Sequence, residues 1–303
     1  MWSKMPTYNF KREAELYIVH GGVQYRLDVG PDISFSQTFK NTSYPQKTLH
    51  QQFAFNEVST FKQANPANFD FTISTLSEND LDIVMDLLLK YKTGTYNLNS
   101  FDLYIKTNTH IYKIENCVIQ TGAFLIERLR ELRLTVSGEG SKLSRVPSLP
   151  HSTQARSSTR TYQQVSYLSV QFGGTALPHV RSVAIELDNS TSWINNGTLH
   201  GGLAVTNAAT SIYPTDFVLE NRTISGSISQ YITDGEYANV QTWEQGTRLQ
   251  IHAGPDASTG FDFDLTSVSY TNRINASGVF TQNYDWRMVS NTSSDLSTLI
   301  THT

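Results

Sequence analysis

A set of short matching segments recurs about 150 residues apart along this 303-residue chain, in the same order in both halves. Gly21-Gly22 follows a strand-like apolar run, and Gly173-Gly174 follows another. Thr48–His50 reappears as Thr198–His200, and a short apolar run follows each. One such match carries little weight, but collinear matches at a nearly constant separation indicate an internal duplication. We therefore expect two similar units in tandem.

A polar stretch separates the two sets of matches. Residues 146–163 contain Pro147 and Pro150 and many Ser and Thr residues, and they show no apolar period. This composition is typical of a linker. We predict a first unit over residues 1–145, a linker over 146–163 and a second unit over 164–303.

Each half contains a segment in which the two faces of a strand differ in polarity, which is typical of a half-buried strand. The alternating residues are Ser34, Ser36 and Thr38 against Ile33, Phe35 and Gln37, and Ala184, Glu186 and Asp188 against Val183, Ile185 and Leu187. We expect each segment to form one arm of a long hairpin. The predicted arms are 32–39 with 48–58 and 180–188 with 198–206, with polar tips at 40–47 and 189–197.

One helix is predicted in each half, at 78–93 and at 234–245. Ser77 and Thr233 are suitable N-terminal caps, and apolar residues follow at helical spacing. Gly94 and Gly246 can end the two helices. Alternating runs before and after each helix predict further strands. The fold class is therefore mainly β: two tandem antiparallel β-sandwich or barrel units, each with one flanking α-helix and a long β-hairpin.

The residues that could carry chemistry form no recognised catalytic or metal-binding pattern. A single cysteine, Cys117, excludes an intrachain disulfide and a cysteine-based zinc cluster, and the eight histidines lack metal-ligand spacing. His50 and His200 occupy equivalent places in the repeat, for which a structural role is favoured. Asp262 and Asp264 share one face of a predicted strand, where paired-carboxylate catalysis competes with a solvated face. The solvated face is favoured, so we predict no enzymatic activity, no cofactor and no metal.

Charge and hydropathy narrow the range of partners. No lysine occurs after Lys142, and residues 151–303 hold seven arginines against twelve carboxylates. This balance argues against a basic nucleic-acid-binding patch in the second half. The first sixteen residues carry charges and no apolar core, unlike a secretory signal. No window approaches the roughly 18 apolar residues of a membrane span, so none is predicted.

These features together resemble the tail-tube family of tailed bacteriophages, in its tandem form. The resemblance rests on the hairpins at 32–58 and 180–206, the helices at 78–93 and 234–245, and the closing strand at 124–138. That strand runs into a glycine-rich ending at 137–141. In this family, hairpins from neighbouring subunits join into a barrel around a lumen. A two-unit chain implies a ring of three copies that imitates six-fold symmetry, at the baseplate end or in the shaft.

The resemblance also implies roles for particular residues. The polar positions of the two hairpins face the lumen: Ser34, Ser36, Thr38, Ala184, Glu186 and Asp188. The hairpin tips contact adjacent rings: Lys40, Tyr44, Lys47, Trp193 and Asn195. The lumen-facing set contains no Lys or Arg, which suits a channel through which DNA must slide without being held.

The implied partners are further copies of this chain, adjacent tail-tube, distal-tail or hub rings, and, transiently, the tape-measure protein and DNA. The implied location is the phage tail of the virion, after synthesis in the host cytoplasm. The chain shows no additional decoration domain, which favours a baseplate-proximal ring over the repeated shaft protein. The alternative functions are a distal-tail hub and a receptor- or carbohydrate-binding tail protein.

Overall fold

The computed structural model describes residues 13–30, 32–45, 57–73, 78–154, 164–195, 212–232, 245–289 and 296–302. Strands dominate these residues, and they contain one α-helix, α1. Every pairing between named strands is antiparallel. The predicted mainly β, antiparallel fold is confirmed.

The strands and the helix follow one another in a regular order. In the first half they are β1 (Glu15–His20), β2 (Val23–Leu27), β3 (Ser34–Ser36), β4 (Phe39–Pro45), β5 (Glu57–Ala64), β6 (Ala67–Ile73), α1 (Glu78–Leu89), β7 (Phe101–Lys106), β8 (Ile111–Glu127), β9 (Arg133–Gly140) and β10 (Lys142–Val146). In the second half they are β11 (Tyr167–Phe172), β12 (Thr175–Ala176), β13 (Val180–Asn195), β14 (Pro214–Tyr231), β15 (Gln245–Gly254), β16 (Phe261–Ser277), β17 (Val279–Met288) and β18 (Ile300–His302).

The order of strand pairing is the same in the two halves. In the first half β2 pairs with β1, β1 with β7, β7 with β8, β8 with β9, β9 with β6 and β6 with β3. In the second half β12 pairs with β11, and the path continues through β15, β16, β17 and β14 to β13. Both first hairpins turn through two glycines with positive φ, at 21–22 and at 173–174. Glycine adopts this conformation without steric cost.

One strand pair joins the halves into a continuous sheet. β13 lies antiparallel to the end of β8, with Ile185 opposite Phe124 and Asp188 opposite Thr121. Sixteen strands belong to this sheet, and β4 with β5 forms a separate two-stranded sheet. The two halves are therefore hydrogen-bonded to each other across the midpoint of the chain.

The core lies on the apolar face of this sheet. Phe124 packs at 5.2 Å from Phe261 and 5.4 Å from Phe263 between ring centroids, so side chains from both halves share one core. α1 covers β8, where the absence of a side chain at Gly122 makes room for Leu88. Burial of these apolar side chains is the main favourable contribution to stability.

Two of the predicted hairpin arms are wrong. β13 pairs with β14 at 214–231, not with 198–206, and its strand continues to Asn195 through much of the predicted tip. In the first half β3 of the predicted arm pairs with β6 and not with 48–58, and β4 pairs with β5; residues 48–56 lie outside the described residues. The segment at 223–229 alternates as regularly as any other, and periodicity alone does not identify the partner of a strand.

The first predicted helix is confirmed as α1, which ends at Leu89. The second, at 234–245, lies almost entirely outside the described residues, as do 198–206 and half of the predicted linker, 155–163. Gln24 forms a bridge with Thr153, inside the predicted linker and before its undescribed part at 155–163, and Glu131 forms one with Gln164 after that part. Both flanks of this segment therefore contact the first half.

Candidate functional site

The predicted polar positions of the first half lie on the exposed side of β3 and its extension. Ser34, Ser36 and Thr38 are exposed, whereas Ile33 retains only 6% of its accessible surface. Ser34 donates a hydrogen bond to the carboxylate of Asp70 on β6. The alternation read from the sequence is confirmed here.

The second half shows the same arrangement on β13. Glu186 and Asp188 are exposed and Ala184 is half-buried. The alternating residues Val183, Ile185 and Leu187 are at most 1% exposed and belong to the core. A strand with one face in the core must present its other face away from it, which fixes the direction of Glu186 and Asp188.

The strand registers place Ser34 and the three residues of β13 on one continuous surface, here named the polar face. Directly opposed residues of antiparallel strands share a face, so each row of partners crosses the sheet on one side. The rows are Thr223, Asp188, Thr121, Ser137, Asp70, Ser34; then Arg287, Ser225, Glu186, Ala123, Thr135, Thr72; then Asp285, Ser227, Ala184, Leu125, Arg133. The polar face consists of these residues and spans β17, β14, β13, β8, β9, β6 and β3.

The polar face is rich in hydroxyl groups and slightly acidic. Its charged members are four carboxylates, Asp70, Glu186, Asp188 and Asp285, and two arginines, Arg133 and Arg287. None of its members is a lysine. Such a surface offers phosphate groups few cationic partners, and its carboxylates repel them.

The predicted tip residues are not brought together by the described structure. Lys40 is exposed in β4, which also contains Tyr44, and Asn195 is the last residue of β13. Trp193 is half-buried and packs against Phe217 of the same chain, with 5.4 Å between ring centroids. Lys47 lies outside the described residues, as do His50 and His200.

The paired aspartates of β16 are each engaged by a different neighbour. Asp262 lies 2.6 Å from Nδ1 of His252, and Asp264 accepts a hydrogen bond of 2.7 Å from Nε of Arg248. The bond from Arg248 lowers the pKa of Asp264. Burial lowers the pKa of His252, but hydrogen bonds from the imidazole to Asp256 and Asp262 outweigh it and raise that pKa. The two carboxylates therefore have different partners, a histidine for Asp262 and an arginine for Asp264.

Sequence reasoning missed a buried polar cluster that caps α1. Arg222 of β14 is 5% exposed, and it donates hydrogen bonds of 2.8 and 2.9 Å to the carbonyls of Leu88 and Leu89. Its Nε donates to Asn189 at 2.8 Å, and Asn189 donates to Leu88 at 3.1 Å. Helix C-terminal carbonyls need such donors. The available signal was an arginine in the apolar phase of a strand, in line with the buried Ile224 and Ile228.

The described ranges show few features of a reactive thiol, a metal site or a membrane span. Cys117 is fully buried, and burial raises the pKa of its thiol well above the ordinary value. Within those ranges no three His, Cys, Asp or Glu residues lie close enough to hold a metal ion. None of the described helices is long and apolar enough to cross a membrane.

Comparison with known proteins decides the family. The model of the bacteriophage baseplate tube protein family matches residues 6–299. The chain belongs to this family. No curated protein matches it. As a member of the baseplate tube family, it is a structural component of the phage tail that associates with other tail or baseplate proteins, and its place is in the virion.

Proposed function

We propose that this baseplate tube protein forms a ring of three copies whose polar face lines the channel of the tail tube. The observation that carries the proposal is the continuity of the polar face across both halves. Ser34, Ser36, Thr38, Ala184, Glu186 and Asp188 then face the lumen. The ring belongs to the baseplate end of the tube, because the matching family is one of baseplate tube proteins.

The stoichiometry follows from the duplication, which we propose on the basis of the shared pairing order of the two halves. Units over 1–145 and 164–303 contribute the same path of strands. Three copies then supply six similar units, and repetition around an axis closes a ring whose strand edges are mutually covered. The hairpins, with Lys40, Tyr44, Lys47, Trp193 and Asn195, extend towards adjacent tube, distal-tail or hub rings.

The electrostatics of the polar face support a conduit. Each phosphate held by a lysine or arginine adds affinity that DNA must lose to move on. A wall of hydroxyl groups with scattered carboxylates lets DNA pass with little retention. The same wall suits a tape-measure protein that occupies the channel before DNA, because the wall offers no large apolar patch to which that protein would adhere. The chain is made in the host cytoplasm and assembles there.

The mass and shape of the purified protein test the proposal. We expect a species of three chains by native mass spectrometry, and rings with an open centre by negative-stain electron microscopy. A compact monomer at micromolar concentration, in the presence and in the absence of the adjacent ring proteins, contradicts the proposal. A closed trimer without a central opening contradicts the channel but not the assembly.

A further inference from the structure

The imidazole of His252 lies between two hydrogen-bond acceptors. Its Nδ1 lies 2.6 Å from a carboxylate oxygen of Asp262, and its Nε2 lies 2.9 Å from the backbone carbonyl oxygen of Asp256. A neutral imidazole has one N–H and donates one hydrogen bond, whereas an imidazolium donates two. With the carboxylate ionised, both contacts are therefore hydrogen bonds only when His252 is protonated.

The two contacts organise the turn between β15 and β16, residues 255–260. Asp262 lies on β16 directly opposite His252 of β15, and Asp256 belongs to the turn itself. The carboxylate of Asp256 accepts hydrogen bonds of 2.8 Å from the backbone N–H groups of Ser258 and Thr259. The side chain of His252 thus holds the base of the turn to β16 and, through Asp256, holds the middle of the turn.

The groups around His252 leave it as the residue that titrates on this face near neutral pH. Among the described residues, its neighbours with titratable side chains are Arg248 on β15, Asp262 and Asp264 on β16, Asp256 in the turn, Tyr167 on β11 and His302 on β18. Of these types, only histidine ordinarily titrates between pH 5 and 8. His302 is paired with Phe261, so it lies on the opposite face of the sheet.

The first half holds a lysine in the matching row of its own sheet. The row across β11, β15, β16 and β18 is Ser169, His252, Asp262, Thr301, and the row across β1, β7, β8 and β10 is Tyr17, Tyr104, Lys113, Ser144. Burial lowers the pKa of Lys113, but its hydrogen bond to Asp102 and the nearby carboxylates raise that pKa to about 12. The first half therefore has a permanent cation where the second half has a histidine–aspartate pair.

We propose that His252 is a pH-dependent switch for the turn at 255–260, which its imidazolium form holds closed and its neutral form releases. The turn also bears on the contact between the halves. Its base, Gly254, accepts a hydrogen bond of 3.0 Å from the backbone of Ser166, and the adjacent Val165 donates one of 2.9 Å to Arg130 of the first half. This inference does not depend on the proposed ring.

The direction of the pH effect follows from the surroundings of His252. Burial lowers its pKa, but the hydrogen bonds to Asp256 and Asp262 outweigh burial and raise that pKa above the ordinary value of 6.5. A group whose pKa is raised by folding stabilises the folded form fully below its unfolded pKa. The turn is therefore closed below about pH 6.5, and it opens as the pH rises through the higher pKa of the folded protein.

Hydrogen exchange of the full chain, followed by mass spectrometry at about pH 5.5 and about pH 8.5, tests the switch. After correction for the intrinsic effect of pH on exchange, we expect the amides of Ser258 and Thr259 to lose protection about three- to tenfold at the higher pH, the worth of one hydrogen bond. The turn at 107–110 between β7 and β8 is the control within the same sample, and its protection should not change.

Two substitutions separate the proton of His252 from other effects of pH. His252→Gln should give a turn with the same low protection at both pH values. In Asp262→Asn, a neutral imidazole can donate from Nε2 to Asp256 and accept at Nδ1 from the new amide. We therefore expect this variant to keep the turn protected at both pH values and to lower the pKa of His252, measured by NMR of ¹³C-labelled histidine.

The matched control is Asp264→Asn, which removes the neighbouring carboxylate two positions along β16 and should keep the pH dependence of the wild type. Equal protection of the turn at both pH values in the wild type overturns the switch. A pH dependence that persists in His252→Gln assigns the effect to another group, such as His302, and overturns it as well. Should His252→Gln fail to fold, Asp262→Asn and Asp264→Asn still decide, because equal behaviour of these two variants contradicts the proposal.

Discussion

At the scale of single residues, close backbone packing leaves no room for a side chain at Gly138 of β9. A Cβ atom there would lie 2.1 Å from the carbonyl oxygen of Val118 and 2.6 Å from the ring of Phe69. The first contact is with backbone, so it cannot be relieved by a side-chain rotation. We expect Gly138→Ala to lower the free energy of unfolding by about 1–3 kcal/mol, measured by urea denaturation.

Gly30→Ala is the matched control, because its Cβ would meet nothing nearer than the carbonyl oxygen of Thr72 at 3.6 Å. Its backbone N–H bonds to that same oxygen and is retained in alanine. We expect its unfolding free energy to change by less than about 1 kcal/mol, since the lower entropy of the unfolded chain works in its favour. Equal losses from the two variants would mean that the tight packing around Gly138 is not the cause.

Single residues also show what the sequence could predict of the candidate site. The polar phase at Ser34 and Ser36, and at Glu186 and Asp188, follows from alternation alone, because a strand with one buried face has period two. That both sets share one surface could not be predicted, because the register of β13 on β8 joins residues about 60 positions apart. Gly138 likewise gave no signal beyond a glycine near the end of a strand.

At the scale of elements, the hydrogen bonds of Arg222 attach β14 to the C-terminal end of α1. Arg222→Met keeps the apolar part of the side chain but removes the donors to Leu88, Leu89 and Asn189. We expect the free energy of unfolding to fall by about 2–4 kcal/mol, because buried acceptors are left without donors. Amide hydrogen exchange in the last turn of α1 should accelerate in parallel.

Arg130→Met is the control for this prediction, because Arg130 is an exposed arginine whose Nε lies 3.4 Å from the carboxylate of Glu127. Exposed ion pairs contribute little, so we expect a change below about 1 kcal/mol and no change in the exchange of α1. If Arg222→Met unfolds like the wild type, the cluster does not hold the helix to the hairpin.

The sequence predicts the helix and the strands better than it predicts which strands pair. Helix α1 follows from a capped apolar stripe, and the strands follow from alternation. The hairpin partners did not, because 198–206 and 223–229 both resemble a returning arm and only long-range pairing distinguishes them. The chosen arm, β14, carries the Gly226 that lets it approach Ala184, where a Cβ atom would lie 2.1 Å from the carbonyl oxygen.

At the scale of the whole molecule, the duplication read from the sequence suggested two separate units, whereas the structure hydrogen-bonds one half to the other. This joint places strands of both halves in one sheet of sixteen strands. The same joint extends the polar face over both halves. A chain built in this way presents one continuous surface across both halves, which the proposed channel requires.

The polar face predicts how the assembled protein interacts with DNA. Glu186→Lys combined with Asp188→Lys places lysines at two exposed positions of that face and raises the charge of each chain by four units. We expect the wild-type assembly to retain no linear duplex DNA at 50 mM salt. The variant should retain it, with an affinity that falls steeply as salt rises, because counterion release then drives binding.

Glu13→Lys combined with Asp86→Lys makes the same change of charge at exposed carboxylates away from the polar face. DNA blocked at both ends by a bulky group separates the two cases. Only the inner wall of a ring holds a threaded duplex, so retention of DNA by the Glu186–Asp188 variant should vanish when the ends are blocked before mixing. Retention by the control variant, if any, should not depend on the ends. Retention of blocked DNA by both variants alike would place Glu186 and Asp188 on an outer surface and not in a channel.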